Sequence, residues 1–303
     1  MTNIAICIST YKRPDGLKAL LASIAALAYD TSKIFVFIAD NDAIGKAGHA
    51  FIEDHKQNFP FHIESDVEPA AGVSLARNKS LTMAKNSGKP FDAIAFMDDD
   101  TEASPGWARH MTDALAKYNA DAVVGKIEPR FPPDAPVEII NSAFFTDFAC
   151  PPTGTKLDDG WTGNTLIKKQ VFEDLGYRPF DTDLSLVGGE DSDFFKRLYK
   201  KNYKIIQSSD AIIIENFPLD RLNEEWISNR YFRIGSTYAY ILSKYGTGPE
   251  FAFMLVKKIV KYAVQKILYV LSPNLTKKCR LKDTEGFLYF AINKKPFEEY
   301  KRT

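Results

Sequence analysis

The chain has 303 residues, 39 Lys+Arg against 39 Asp+Glu, and 45% hydrophobic residues. That length can bury a substantial core, the composition excludes a disordered or fibrous chain, and the balanced charge excludes the broad basic field of a nucleic-acid binder. Cys7, Cys150 and Cys279 are odd in number and far apart, which excludes a disulfide framework or zinc-ligand spacing and fits a reducing compartment.

In chain order, residues 4–8 predict a buried strand, beginning too early to leave room for a cleavable leader. Pro14 suits the first turn of a helix through Leu17, Leu20, Leu21 and Ile24. Residues 34–38 predict a second strand ending at Asp40-Asn41-Asp42, then a helix around Phe51 and Ile52, and a short third strand at 61–63. Gly72 precedes a helix over 73–85. The apolar run at 93–97 stops abruptly on Asp98-Asp99-Asp100, Thr101 to Pro105 reads as a helix start, and a helix over 105–118 leads to a strand at 122–125. Such alternation predicts stacked βαβ units and a mainly parallel central sheet flanked by helices.

Residues 129–160, rich in Pro, Phe and Asp, read as irregular structure near a site. A strand at 165–167 leads into a helix near Val171, a loop at 176–189 precedes a helix from Glu190, and 211–214 form a buried strand. Helical patterns follow over 226–244 and 251–271. In the second of these, Val256, Ile259, Val260, Ala263, Val264, Ile267, Leu268 and Leu271 recur at helical spacing, with Lys257, Lys258, Lys261 and Lys266 on the other side. This basic amphipathic pattern has two readings: contact with an anionic membrane surface, or packing on the domain with its lysines in water. No uncharged apolar run reaches the length of a membrane span, so a cytoplasmic chain is expected.

Three carboxylates at the carboxyl end of a strand repel one another, and ligands of open α/β sheets collect at that edge. The triplet reads either as a cap for the next helix or as a holder of Mg²⁺ bearing phosphate oxygens. The other strand ends are also polar: Ser9-Thr10-Tyr11-Lys12-Arg13 and Asp40-Asn41-Asp42, with Ala76-Arg77-Asn78 on a loop-to-helix segment. No G-x-G-x-x-G follows the first strand and no G-x-x-x-x-G-K-[ST] is present, excluding the usual dinucleotide and P-loop fingerprints.

The ordered set Ser9-Thr10-Tyr11-Lys12-Arg13-Pro14, Ala39-Asp40-Asn41-Asp42, Ala76-Arg77-Asn78, Met97-Asp98-Asp99-Asp100, Trp161-Thr162-Gly163-Asn164 and Gly188-Gly189-Glu190-Asp191 resembles family-2 inverting glycosyltransferases of the GT-A fold. The resemblance covers roughly residues 3–240 and is strongest to bacterial exopolysaccharide, capsule and lipopolysaccharide enzymes, succinoglycan-type glucosyltransferases among them. The segment Glu215-Asn216-Phe217-Pro218 with Trp226, Arg230, Arg233 and Gly235 strengthens that subgroup. It implies a GT-A domain at 1–245, with a nucleotide-binding half at 1–128 and an acceptor and catalytic half at 129–245, and an amphipathic helical extension at 246–303.

The same resemblance implies roles. Thr10, Arg13, Asp40, Arg77, Asp98 and Asp99 would bind the sugar nucleotide, Asp40 through the uracil ring and Asp98 near the ribose. Asp100 of the D-x-D motif would ligate Mn²⁺ or Mg²⁺, and Asp191 would be the general base. Trp161, Gly163, Asn164 and Glu190 would line the donor-sugar and acceptor pocket. Many relatives supply a late His to the metal; here Glu215 stands as its replacement or as an acid fixing a loop. The expected partners are a UDP-sugar (or dTDP-sugar) donor, a saccharide or lipid-linked saccharide acceptor, and the inner membrane face through 251–271. Two alternatives are a sugar-nucleotide pyrophosphorylase, which wants glycines after the first strand, and a non-catalytic binding subunit.

Overall fold

Apolar strands and one-sided helices alternate through the first two hundred residues, and the strands Ile4–Thr10, Ile34–Asp40 and Ala93–Asp98 are buried because helices cover both of their faces. The structure, a computed structural model, describes residues 1–146 and 150–299. Parts of the expected irregular segment (147–149) and of the C-terminal extension (300–303) lie outside the described residues. The elements are β1 (Ile4–Thr10), α1 (Pro14–Ala25), β2 (Ile34–Asp40), α2 (Ala47–His55), β3 (His62–Val67), α3 (Val73–Asn86), β4 (Ala93–Asp98), β5 (Thr101–Ala103), α4 (Trp107–Lys117) and β6 (Ala122–Arg130). There follow α5 (Val137–Ile140), α6 (Ala143–Thr146), β7 (Lys156–Leu157), β8 (Asn164–Lys168), α7 (Lys169–Leu175), α8 (Glu190–Lys200), β9 (Ile205–Asn216), α9 (Glu224–Tyr245), α10 (Gly248–Leu271) and α11 (Leu275–Asn293).

The chain divides into two compact units: Met1–Arg130 with Cys150–Ser185 and Glu190–Asn216, and Phe131–Ala149 with Leu186–Gly189 and Phe217–Thr303. The first unit carries the sheet, in the order β3-β2-β1-β4-β8-β6-β9-β5, with β7 pairing β9. β1 to β4 are parallel where they pair, as is β6 with β9, whereas β8, β5 and β7 run antiparallel to their neighbours. One face packs Ile4, Ile6 and Ile8 against Leu17, Leu20 and Leu21 of α1 and against Trp107 of α4. The other packs Cys7, Phe37 and Phe96 against Leu81, Phe172 and Phe194.

Three local readings change. Thr101 to Pro105 is not a helix start: Thr101–Ala103 form β5, paired antiparallel with Ile213–Glu215, and α4 begins at Trp107 behind Gly106, with no capping side chain. The acidic triplet therefore turns between two strands and caps no helix; Thr101 Oγ1 donates to the Asp98 carbonyl at 2.7 Å. The strand expected at 211–214 runs from Ile205 to Asn216, its polar stretch Gln207 to Asp210 accommodated by a register shift against Gly125/Lys126. The segment 129–160 contains the end of β6 together with α5, α6 and β7.

In the second unit α9 and α11 approach closely, because Gly235 lies against the Asp283 carbonyl and Gly286 against the Phe232 carbonyl with no room for a Cβ. Asn223, Thr247 and Asn274 cap α9, α10 and α11 through side-chain oxygens, Thr247 within a capping box closed by Glu250. Phe287 and Phe290 of α11 pack with Ala239 of α9 and with Phe251, Met254 and Leu255 at the start of α10.

Gly286→Val should lower stability by about 1–3 kcal/mol or more, the usual range for overpacking. Gly248→Ala, whose Cβ meets nothing within 4 Å, should stay near wild type. Urea unfolding followed by circular dichroism checks the pair. Equal losses would mean that the α9–α11 crossing is not closely packed.

Candidate active site

The parallel register delivers the polar strand ends to one edge: Thr10 pairs with Asp40 across β1 and β2, and Ser9 with Asp98 across β1 and β4. β8 begins on the same edge, Asn164 opposite Met97, so the Trp161 to Gly163 segment enters the sheet beside the acidic triplet.

The three aspartates occupy three environments. Asp99 is buried; its Oδ2 accepts from Thr10 Oγ1 at 2.8 Å and from the Tyr11 backbone N–H at 3.2 Å, and its Oδ1 accepts from Arg13 at 3.2 Å. Burial pushes its carboxyl up to about 6, against the pull of Arg13 and with the push of Asp100. Asp100 accepts from Arg13 at 2.6 Å. Burial draws the Arg13 guanidinium down, but the charges of Asp99 and Asp100 outweigh it and leave it above its ordinary value. Asp98 is the most open, with 41% of its side chain exposed, and pairs with Arg77 Nη2 at 2.9 Å.

Arg77 joins the triplet to the start of α8. Buried on α3, it donates to Asp98 through Nη2 and to Glu190 through Nη1, and lies over the Phe180 ring at 5.9 Å. Asn78 fixes that ring's segment in both directions, donating to the Phe180 carbonyl at 2.8 Å and accepting from its N–H at 3.0 Å. Asp191, half-buried beside Glu190, accepts from the Ser192 N–H at 2.8 Å. Its charge reaches Asp159: desolvation pushes the Asp159 carboxyl up to about 6, although much of that residue meets solvent, and Asp191 adds to the rise. The same segment touches the triplet, since a Cβ on Gly163 would lie 2.9 Å from Asp98 Oδ2. Gly188 and Gly189 hold φ of +80° and +86°, the left-handed bend expected just before Glu190.

Several expected site residues are placed otherwise. Asp40 has no exposed surface and each of its oxygens accepts a backbone N–H, from Asp42 and His49 at 2.9 Å each, which shapes the loop after β2. Asn164 is fully buried: its amide donates to the Lys126 and Ala211 carbonyls at 2.8 and 3.0 Å and accepts from Trp107 Nε1 at 2.8 Å. It braces the sheet instead of lining a pocket. Trp161 is half-buried against the second core, its Nε1 enclosed without a hydrogen-bond partner among the described residues. Glu190 is buried on Arg77 and so supports the wall from within.

Glu215 pairs with Thr101 in the sheet, and among the described residues no group of three or more His, Cys, Asp or Glu converges to hold a metal ion. The expected Asp100 and Glu215 pair therefore gains no third protein ligand. Carboxylate oxygens are the ligand type that Mg²⁺ and Mn²⁺ take, one or two of them with waters and substrate phosphates completing the shell. Glu102 and Arg130, not singled out in the sequence, complete the edge with Asn216, which donates from its backbone to the Asp100 carbonyl at 2.9 Å and from its side chain to Glu102 at 3.0 Å, while Arg130 donates to Glu102 at 2.6 Å.

Comparison with known proteins bears on the family and the fold. The family described as Glycosyl transferase family 2 matches residues 5–176. The succinoglycan biosynthesis protein ExoM of Rhizobium meliloti (strain 1021) is 31% identical over 246 residues, covering 81% of this chain and 77% of that protein. Among solved structures, the mannosyltransferase PcManGT from Pyrobaculum calidifontis in complex with GDP-Man and Mn²⁺ superposes with a TM-score of 0.66 at 16% identity, over 97% of this chain and 88% of that one. S. aureus TarS 1–349 in complex with UDP-GlcNAc gives a TM-score of 0.51 at 13% identity, over 94% of this chain and 89% of that one. The chain spans 42% of the longer TarS chain, with a TM-score of 0.54 at 14% identity over 80% of this chain. These structural likenesses speak to the fold.

The raised Asp99 carboxyl predicts a pH dependence. Between an ordinary carboxylate value near 4 and about 6 the folded chain holds a proton there that the unfolded chain releases, so this contribution to stability falls as pH rises through that window. Asp99→Asn removes the titration. The stability difference between variant and wild type should then shift toward the variant, on the order of 2 kcal/mol, between pH 4 and 7.5. Urea unfolding at both pH values checks it; parallel pH profiles would show that Asp99 does not titrate in this window.

Proposed function

The chain belongs to glycosyl transferase family 2 and has the GT-A fold, and we propose that it is a metal-dependent inverting enzyme moving a sugar from a UDP-sugar to a hydroxyl of a saccharide or lipid-linked saccharide. Similarity to a succinoglycan biosynthesis protein supports a role in bacterial surface polysaccharide synthesis. The observation that carries the reading is Arg77, whose ion pairs tie Asp98 of the triplet to Glu190, the neighbour of Asp191. Family membership removes the pyrophosphorylase alternative.

Asp191 is the general base in this scheme. As the acceptor oxygen bonds to the anomeric carbon, the carbon–phosphate oxygen bond breaks with its electron pair going to the diphosphate, and Asp191 takes the hydroxyl proton. Such a group contributes about 10²–10⁴-fold. Displacement from the face opposite the leaving group inverts the anomeric centre. A divalent cation, when bound, neutralises the charge that grows on the diphosphate; Asp100 is its protein ligand. Asp98 lies at the ribose side, Arg13 and Arg77 add positive charge near the diphosphate, and Trp161 and Gly163 border the sugar. Asp99 and Thr10 hold the triplet's turn in place.

Asp191→Asn should cut transfer by at least about 10²-fold, the lower bound for general-base catalysis, while UDP affinity stays within about twofold. Steady-state UDP release and calorimetry measure the two; turnover near wild type would remove Asp191 from the base role. Asp100→Ala should abolish the gain in UDP affinity that Mn²⁺ confers. Calorimetric titrations of wild type that agree with and without Mn²⁺ would sink the metal assignment.

A further inference from the structure

α10 is amphipathic in the inverted sense. Its inward side carries Phe251, Met254 and Leu255 and the single buried residue Lys258, whose Nζ donates to Asp283 of α11 at 2.6 Å. Its outward side carries Phe253, Val256, Val260, Val264, Ile267 and Leu271, each between 51% and 76% exposed. At about 100° per residue these six side chains fall within an arc of about 80°, one continuous ridge of about five turns. Isolated apolar residues on a surface need no explanation, but a contiguous ridge marks an interaction site.

Charge identifies the partner. Between residues 251 and 271 there is no Asp or Glu. Lys257 and Lys261 border the ridge on one side, and Lys266 borders it on the other beyond Ile259 and Val270. A second copy of the same helix would bring lysine rim onto lysine rim with no acid to pair them, a like-charge juxtaposition that opposes association. An anionic bilayer answers both features: the ridge enters the headgroup and acyl boundary while the lysines reach the lipid phosphates. No described helix is long and apolar enough to cross a membrane, so the helix lies in the interface and does not span it.

We propose that the outward face of α10 docks the protein flat on an anionic lipid surface through the Phe253–Leu271 ridge and its flanking lysines. The proposal goes beyond the transfer chemistry and is read without turnover, so its failure and the failure of that chemistry are separable. The test is co-flotation of the full-length protein, without sugar nucleotide, with vesicles of phosphatidylcholine and phosphatidylglycerol (7:3) or of phosphatidylcholine alone. Wild type should float with the mixed vesicles, less at 0.5 M salt, and far less with the neutral ones. Lys257→Gln/Lys261→Gln/Lys266→Gln should weaken mixed-vesicle partitioning by about 100-fold, at about fivefold (about 1 kcal/mol) per lysine. Val260→Glu/Val264→Glu should abolish flotation, with circular dichroism and UDP affinity unchanged. Wild type that does not float, variants that partition like wild type, or a Val260→Glu/Val264→Glu chain that merely turns a dimer into a monomer would each overturn the proposal. The lysine variant alters no apolar contact, so it decides the matter even where the glutamate variant misfolds.

Discussion

The Arg77 guanidinium, buried between Asp98 and Glu190, is the interaction on which the rest of the candidate site depends. Arginine suits the position because its planar fork reaches two carboxylates at once, whereas an ammonium offers a point charge. The arrangement is one-sided: Glu190 is buried, its Oε2 has no hydrogen-bond partner among the described residues, and Arg77 is the cation that offsets its charge. Removing one member of a buried pair typically costs about 3–5 kcal/mol, because the remaining charge stays enclosed. The position of Asp191 thus follows from the packing of α3, through Arg77, onto the first turn of α8.

A second guanidinium performs the matching task on the opposite side of the triplet. Arg13 precedes α1 and holds Asp99 and Asp100 together. Three adjacent acids at a strand end therefore have a structural answer that the sequence alone did not suggest: two arginines, Arg13 ahead of α1 and Arg77 on α3, divide the charge. Of the three, Asp98 keeps the most open side chain, 41% exposed.

Legibility followed burial. β1, β2 and β4 are covered on both faces, and such strands read as unbroken apolar runs. β9 is interrupted by Gln207 to Asp210, which a register shift absorbs, so only its apolar end was visible; β5 has three residues and owes its existence to pairing with β9. Motif order located Thr10, Asp98 and Glu190, yet not what each touches, since Arg77 and Glu190 are 113 positions apart. Asn164 was conspicuous in sequence for a reason other than ligand contact: its amide satisfies Trp107 and two strand carbonyls in the core. For α10 the period was clear but the inward side was not, because a buried Lys258 paired with Asp283 reverses the usual assignment of apolar residues to the interior.

Identical side chains at Asp98, Asp99 and Asp100 acquire different chemistry from their surroundings alone. Asp99, enclosed and pushed up to about 6, is the poorest of the three at presenting a full negative charge to a ligand, and its oxygens are already directed at Thr10, Tyr11 and Arg13. Desolvation favours the neutral carboxyl, so a buried middle member holds the turn without adding a third full charge. Asp98 pairs with Arg77 of α3, while Asp100, in the turn after β4, shares Arg13 with Asp99.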